Sequence, residues 1–302
     1  VIDCQDLEFI MRIAIIGCGA VGGAYARALK GKAVLSLCDI LTDGRPGALS
    51  EEIGLPLNTV PGDWLRDCDF AIAAVPGRES AVAAASALPF LSQGSIYIDV
   101  STGAPASLRQ SSKDFEAAGR AFVDTAIMGG IARTGGKTPV LVAGDEAKRA
   151  CEIFALMGAN ADILEEGAPG DAVALKLLRS VVVKGLECVA IESLTAAEHL
   201  GVRDKLEALL GDIDRAPIAE YLGSLVTTHI LHAERRMHEM EDSAAQLRAL
   251  GFDAAITGAL GARYRVTLAG QEKTPPPGDA HQSLDKALAW LITAGRNEAD
   301  VS

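Results

Sequence analysis

The sequence predicts an α/β domain built on a mostly parallel sheet, followed by an all-helical domain, with one long interdomain helix joining the two. Three observations predict it. Short apolar runs alternate with helical patterns over the first half of the chain, as in successive βαβ units. The first run passes straight into a glycine-rich turn and an Ala-rich helical pattern, RIAIIGCGAVGGAYARAL at residues 12–29. Beyond residue 170 the strand-like runs stop and the chain reads in helical period.

The bulk numbers agree with a folded two-domain chain. It has 302 residues, 49% of them hydrophobic, enough for two separate cores. The formal net charge of -12, with no cluster of Lys or Arg, argues against nucleic acid or an anionic membrane as partner. No apolar run is long and charge-free enough to span a bilayer, and the N-terminus VIDCQDLEFI lacks the layout of a signal peptide. These features predict a cytoplasmic enzyme. Six cysteines (Cys4, Cys18, Cys38, Cys68, Cys151, Cys188) show no metal-ligand spacing and read as reduced, with no metal site. Met11 reads as a natural start, which makes residues 1–10 an extension.

In the first unit, Ile13, Ile15 and Ile16 mark a buried strand, and Gly17-Cys18-Gly19-Ala20-Val21-Gly22 follows it. Gly17 permits the tight turn, Gly19 lets backbone approach a pyrophosphate, and Gly22 allows close helix–strand packing. The helix N-terminus beyond offers free N–H groups to an anion. A second apolar run, 33–38, ends at Asp39, where a carboxylate accepts adenine-ribose hydroxyls. Gly17, Gly19, Ala20, Val21, Gly22 and Asp39 therefore read as a Rossmann-type cofactor site, with glycines that merely shape a tight β–α turn as the alternative. Asp39 would repel a 2′-phosphate, so NAD is favoured, although Arg45 keeps NADP open.

Residues 41–60 read as a loop with at most one short helix. A strand at 69–76 follows, and its end, Val75-Pro76, is either simple strand termination or a nicotinamide-side loop. Residues 79–91 read as a helix and 95–100 as a strand running into Ser101-Thr102-Gly103-Ala104-Pro105. Ligands of open parallel sheets collect at the carboxyl ends of strands, so Ser101 and Thr102 are candidate substrate contacts, with plain helix N-caps as the alternative. A strand at 121–124 leads to Gly129 and Gly130, whose bare N–H groups suit a carboxylate. Residues 138–144 are read as completing the sheet, with a helix over 145–156.

EEGAPG at 165–170 is read as the boundary between a dinucleotide-binding domain, 11–168, and an all-helical substrate and dimerisation domain, 169–302. The helix predicted at 171–200 has apolar residues around most of its circumference, which predicts burial between domains. Set into it are Lys176, Arg179, Ser180 and Lys184, on one sector at 3.6 residues per turn. Buried cations need anionic partners, so a small anionic substrate is expected beside them. Structural ion pairs are the alternative. Further helices are predicted within 204–267, including separate pieces at 216–225 and 229–250. A last one at 283–293 follows Pro275-Pro276-Pro277 and is expected to pack on a second subunit.

Together these residues resemble the β-hydroxyacid dehydrogenase superfamily, which includes 3-hydroxyisobutyrate and 6-phosphogluconate dehydrogenases. The fingerprint Gly17 to Gly22, the motif Asp99-Val100-Ser101-Thr102-Gly103-Ala104-Pro105, the pair Gly129-Gly130 and Lys176 come in the family's order. The resemblance implies that Lys176 is the general acid/base, that Ser101 and the Gly129-Gly130 backbone hold substrate, and that Gly17, Gly19, Val21 and Gly22 line the cofactor site. It also implies homodimers with interlocked helical halves. Two places depart from the better-known members. Ala126-Ile127-Met128 stands where they carry Pro-Val-Ser, and Ser180, preceded by Arg179, stands where they carry Asn. With Lys184-Gly185 and His232-Ala233-Glu234-Arg235-Arg236, these look like a branch labelled 6-phosphogluconate-dehydrogenase-like, with a short helical C-terminal domain.

The expected reaction is NAD(P)-dependent oxidation of the hydroxyl of a small β-hydroxy acid, or of a related hydroxy acid, sugar acid or β-hydroxy amino acid. Lys176 would take the hydroxyl proton, its pKa lowered by a dry helix face and by the like charges of Arg179 and Lys184. Two rivals are an NADPH-dependent imine reductase, which usually lacks the helix lysine, and a non-catalytic dinucleotide-binding scaffold.

Overall fold

The computed structural model describes residues 11–295, so the extension read at 1–10 lies outside the described residues. The chain forms two compact units, Val1–Ser180 and Val181–Ser302.

The first unit opens with β1 (Arg12–Ile16), α1 (Ala20–Leu29), β2 (Val34–Cys38), α2 (Gly44–Ile53), β3 (Leu57–Asn58), β4 (Phe70–Ala73) and α3 (Ser80–Ala87). It continues with β5 (Ile96–Asp99), α4 (Pro105–Ala117), β6 (Ala121–Ile127), α5 (Ile131–Thr134), β7 (Val140–Ala143), α6 (Ala147–Met157) and β8 (Ala161–Ile163). The eight strands lie in the order β3-β2-β1-β4-β5-β6-β7-β8. All neighbours are parallel except β6 and β7, which pair antiparallel, Thr125 opposite Val142. The chain turns back between β1 and β4, which opens a crevice outside their carboxyl ends.

Alternation along the strands accounts for helices on both faces. Ile13 and Ile15 of β1 join Leu35, Leu37, Ile72, Ile98 and Val123 in one core, closed by Tyr25, Leu29 and Phe154. The intervening Ala14 and Ile16 join Ala71, Ala73, Tyr97 and Phe122 in the other, closed by Leu108 and Phe115. Strands buried on both sides read as continuous apolar runs, which made them legible.

Three sequence expectations are corrected in this unit. Residues 41–60 hold the ten-residue helix α2 and strand β3, because Leu49 and Ile53 give the segment an apolar edge that packs on the first core. Arg45 therefore sits exposed at the start of a helix. The run at 138–144 does not complete the sheet, since β8 pairs beyond it, Leu141 with Asp162. The helix expected at 79–91 is α3 flanked by 3-10 turns, Gly77–Glu79 and Leu88–Phe90, the second containing Pro89.

The helix α7 (Asp171–His199) has 29 residues and runs from the first unit into the second. The second unit continues with α8 (Arg203–Leu209), α9 (Ile218–Ala249), α10 (Ala255–Lys273) and α11 (Leu284–Gly295). The two pieces expected at 216–225 and 229–250 are one helix of 32 residues, α9. Thr227 and Thr228, between the two expected pieces, donate their hydroxyls to the carbonyl of Ser224 at 2.9 and 2.8 Å and stay helical. At the start of α10 the Glu192 carboxylate accepts the N–H groups of Ile256 and Thr257 at 2.7 and 3.0 Å, a favourable place for negative charge. The final helix packs on its own chain. Trp290 is buried with Ile230, Ala280 and Ala287 and donates to the carbonyl of Thr274 at 2.9 Å.

The apolar circumference of α7 is not covered within one chain. Nine of its large apolar side chains are exposed: Leu175, Leu177, Leu178, Val181, Val182, Val183, Leu186, Val189 and Ile191. The expectation of burial fails here because the widest part of the stripe stands exposed among the described residues.

Candidate active site

The glycine turn is held so tightly that each glycine's part can be read from what a methyl group would meet. A Cβ on Gly22 would lie 1.8 Å from the carbonyl oxygen of Gly17. Gly17, at φ 90°, would place one 2.5 Å from the carbonyl of Ala74 and 3.0 Å from the Val75 side chain. At Gly19 a Cβ would meet nothing within 4 Å. The first two glycines are therefore demanded by the fold, and the third leaves open space directly before the first turn of α1. Ala20 is exposed at that turn, while Val21 packs partly into the core.

Asp39, at the end of β2, binds the same turn. One of its oxygens accepts the Cys18 N–H at 2.7 Å and the other accepts the Leu41 N–H at 2.9 Å. A carboxylate has about four acceptor positions, so two such bonds leave room for a ribose diol. Burial, with Asp39 beside it, pushes the Cys18 thiol up to about 12 and keeps it protonated. Open space beside Gly19 and Ala20 and the free acceptor positions of Asp39 thus lie at one turn, which would suit a pyrophosphate and its ribose, while Gly17, Val21 and Gly22 shape the turn behind them.

The second feature lies at the carboxyl ends of β4 and β5. Ser101 is buried, and its hydroxyl accepts the Val75 N–H at 3.3 Å and lies 3.4 Å from the Ala73 carbonyl oxygen. The Ser101 N–H in turn donates to Asp99 Oδ1 at 2.7 Å. Thr102 is exposed, and its hydroxyl accepts from Lys176 Nζ at 2.9 Å. A Cβ on Gly77 would lie 2.1 Å from the Thr102 carbonyl, so the Val75-Pro76-Gly77 and Ser101-Thr102-Gly103 segments touch backbone to backbone. Val75 joins the two features, bonded to Ser101 on one side and pressed on Gly17 on the other. Pro76 is exposed at the crevice edge and opens the 3-10 turn.

Lys176 is positioned by the start of α7. Asp124, fully buried on β6, accepts the N–H groups of Gly170 and Val173 through Oδ2 at 2.9 and 3.1 Å. Arg109 of α4 pairs with Asp171 at 2.8 Å, and Val173 is buried in the second core. Val173 and Lys176 are three positions apart, so the face that anchors the helix is the face that carries the amine. The Lys176 pKa is lowered by burial, while the nearby Asp124 carboxylate opposes that shift. Asp124 itself is raised to about 6, chiefly by burial, against the two backbone N–H groups and with Asp99 adding to the rise. Its Oδ1 has no hydrogen-bond partner among the described residues.

The remaining candidates make no side-chain hydrogen bond to Ser101, Thr102 or the Lys176 amine among the described residues. Arg179 is exposed, and Ser180 returns its hydroxyl to the Lys176 carbonyl at 2.9 Å. Lys184 faces Glu187 at 3.5 Å and is exposed. Like-charge repulsion from Arg179 and Lys184 is therefore not what lowers the lysine; burial is. Gly129 and Gly130 are exposed just before α5, their N–H groups without a partner among the described residues. Asp99 ties this region together, its second oxygen accepting from Ser80 at 2.6 Å. Sequence reasoning missed the part played by Asp124, although an acid inside an otherwise apolar strand was a visible signal.

Fold and site define a class: a nicotinamide dinucleotide-binding α/β unit followed by a helical unit, with a lysine of the connecting helix at the sheet's carboxyl edge. Residues 12–165 match the NAD binding domain of 6-phosphogluconate dehydrogenase, and the chain belongs to that family. Residues 197–267 match a domain of unknown function, DUF1932. The chain is 30% identical over 207 residues to human mitochondrial 3-hydroxyisobutyrate dehydrogenase, a match spanning 65% of this chain and 60% of the human enzyme. It is 26% identical over 230 residues to an uncharacterised 28.5 kDa protein of Methanothermus fervidus, covering 76% and 88% of the two chains. Among solved structures, a conserved protein of unknown function with structural similarity to 3-hydroxyacid dehydrogenases aligns at a TM-score of 0.58 with 26% identity, covering 85% of this chain and 96% of that one. An imine reductase from Myxococcus stipitatus, solved with NAD+, shares the fold at a TM-score of 0.70 and 17% identity, covering 92% and 99%.

Proposed function

We propose that this protein oxidises the hydroxyl of a small β-hydroxy acid, or of a related hydroxy acid, sugar acid or β-hydroxy amino acid, with Lys176 as the general base. The observation that carries the reading is the amine itself. It is half-buried, its pKa is lowered, and it is 2.9 Å from the Thr102 hydroxyl, beside the strand end that presses on Gly17.

The bound nicotinamide cofactor would supply the hydride acceptor, held by the Gly17-to-Gly22 turn and by Asp39. Asp39 favours NAD because its charge opposes a 2′-phosphate in the same place. Neutral Lys176 takes the proton of the substrate hydroxyl, and Thr102 orients the amine by accepting one of its hydrogens. The bare N–H groups of Gly129 and Gly130 suit the substrate carboxylate, with the Ser101 N–H and hydroxyl holding the floor between the strand ends. Arg179 and Ser180 of α7, and Lys184 further along it, are proposed to meet the anionic substrate from a second copy of the chain or on closure. The domain division proposed is 11–168 for cofactor and 169–302 for substrate and dimerisation.

The test is a screen of hydroxy acids, sugar acids and β-hydroxy amino acids for NADH formation, with cyclic imines and NADPH in parallel. Lys176→Ala is expected to lower kcat by roughly 10²–10⁴-fold on the active hydroxy acid while NAD affinity stays within about twofold. Wild-type turnover by that variant refutes the lysine assignment. Turnover of imines alone moves the protein to the imine reductases, and cofactor binding without any turnover makes it a scaffold.

A further inference from the structure

We propose that the second unit carries a binding site of its own, for a small organic anion with an oxyanion head on an apolar body, in the cavity between α9, α10 and α11. The cavity measures about 370 Å³ and is walled by Val226, Tyr264 and Leu291 on its apolar side and by His229, Arg236 and Arg263 on its polar side. All of these belong to the second unit.

Two guanidinium groups face this space with no carboxylate to meet either among the described residues. Arg236, half-buried, donates to the Thr228 hydroxyl at 3.0 Å. Arg263 donates to the hydroxyl of buried Thr267 at 3.2 Å. Those partners are neutral oxygens, which satisfy an N–H but leave the charge standing. By contrast Arg235 and Arg265, on the same two helices, are paired with Glu239 and Glu241. In a chain with a net charge of -12, two uncompensated cations converging on one cavity are a local inversion of sign.

His229 reports the same field. Its Nε2 lies 2.7 Å from the Thr267 hydroxyl, which already accepts from Arg263. Its pKa is lowered by burial and then by Arg263 and Arg236, so both cations are close to it. The ring is stacked on Tyr264 at 5.0 Å between centroids, which gives the polar wall a flat, fixed side. An oxyanion between the two forks would remove their mutual repulsion and accept their free N–H groups in pairs, while Val226 and Leu291 receive the apolar remainder.

The experiment is calorimetric titration of the full chain, without cofactor, with phenyl phosphate as probe, and with inorganic phosphate and phenol as head-only and body-only controls. The site predicts one saturable site per chain for phenyl phosphate, tighter than either control. Arg236→Gln and Arg263→Gln should each weaken it by about tenfold or more, and Lys176→Gln should leave it unchanged. Addition of the probe to the wild-type chain should also move the His229 ring resonances, a readout that needs neither arginine variant to fold. Absence of saturable binding below about 10 mM overturns the inference. So does binding that ignores both arginine substitutions, or that disappears with Lys176→Gln.

Discussion

Asp124 sets two quantities at once, the seat of α7 and the charge state around Lys176. Its Oδ2 takes the first free N–H groups of the helix, where negative charge is favoured, and its buried Oδ1 has no hydrogen bond among the described residues. The groups facing it are Asp99 from β5 and Lys176 from α7. An aspartate that titrates near 6 folded and near 4 unfolded binds its proton more tightly in the folded chain. Its charged form thus costs stability above pH 6, and the cost is relieved as pH falls from 6 toward 4, on the order of 3 kcal/mol in full. Asp124→Asn keeps an acceptor for the helix and removes the titration. Chemical denaturation between pH 7 and 4 is expected to show the wild type gaining on the variant by about that amount; a constant difference would mean that Asp124 titrates as in the unfolded chain. In turnover, the limb of kcat against pH that reports neutral Lys176 should move to lower pH in the variant, because the carboxylate that holds the proton on the amine is gone.

At the scale of one element, the β1-turn-α1 unit separates what the fold requires from what a ligand requires. Gly22→Ala would drive a methyl group to 1.8 Å from a backbone oxygen that cannot yield without moving the turn, so thermal stability should fall by several kcal/mol. Gly19→Ala meets nothing, so the melting temperature should stay within about 2 °C while NAD affinity falls by more than tenfold. Equal loss of stability in both variants, or an unchanged NAD affinity in Gly19→Ala, would remove the argument for the open cradle. The same unit explains why so much was legible. The strand is buried on both faces and shows as an apolar run, Gly22 is forced by the Gly17 carbonyl five residues before it, and Lys176 stands out as a cation in an apolar helix. What the sequence concealed depends on partners far along the chain. The bond from Cys18 to Asp39 and the reach from Asp124 to Gly170 are each decided by a neighbour that periodicity does not name. Arg179 and Lys184 show the limit from the other side. Helical spacing placed them on one sector with Lys176, yet exposure and an ion pair with Glu187 remove them from its electrostatics.

For the molecule as a whole, the nine exposed apolar side chains of α7 are the feature that a single chain leaves unaccounted for. No helix among the described residues is long and apolar enough to cross a membrane, so this stripe is not a span. Between Val181 and Ile191 the only charged side chains are Lys184 and Glu187, and they face each other, leaving the rest of that surface apolar. A monomer seldom exposes a continuous apolar patch beyond a few hundred Å². A second copy of the same chain offers the same patch, and two such helices crossing about a twofold axis bury both at once. We therefore propose a homodimer formed along α7. Light scattering after size-exclusion chromatography is expected to give twice the chain mass at micromolar concentration. Val181→Asp together with Leu186→Asp, two of the most exposed apolar positions at 71% and 53%, should yield the monomer with its helical circular dichroism retained. A wild-type monomer under the same conditions refutes the dimer, and so does a dimer that survives the double substitution. If the dimer is lost and turnover with it while NAD affinity remains, the helical half of one chain completes the substrate site of the other, which is the place proposed for Arg179 and Lys184.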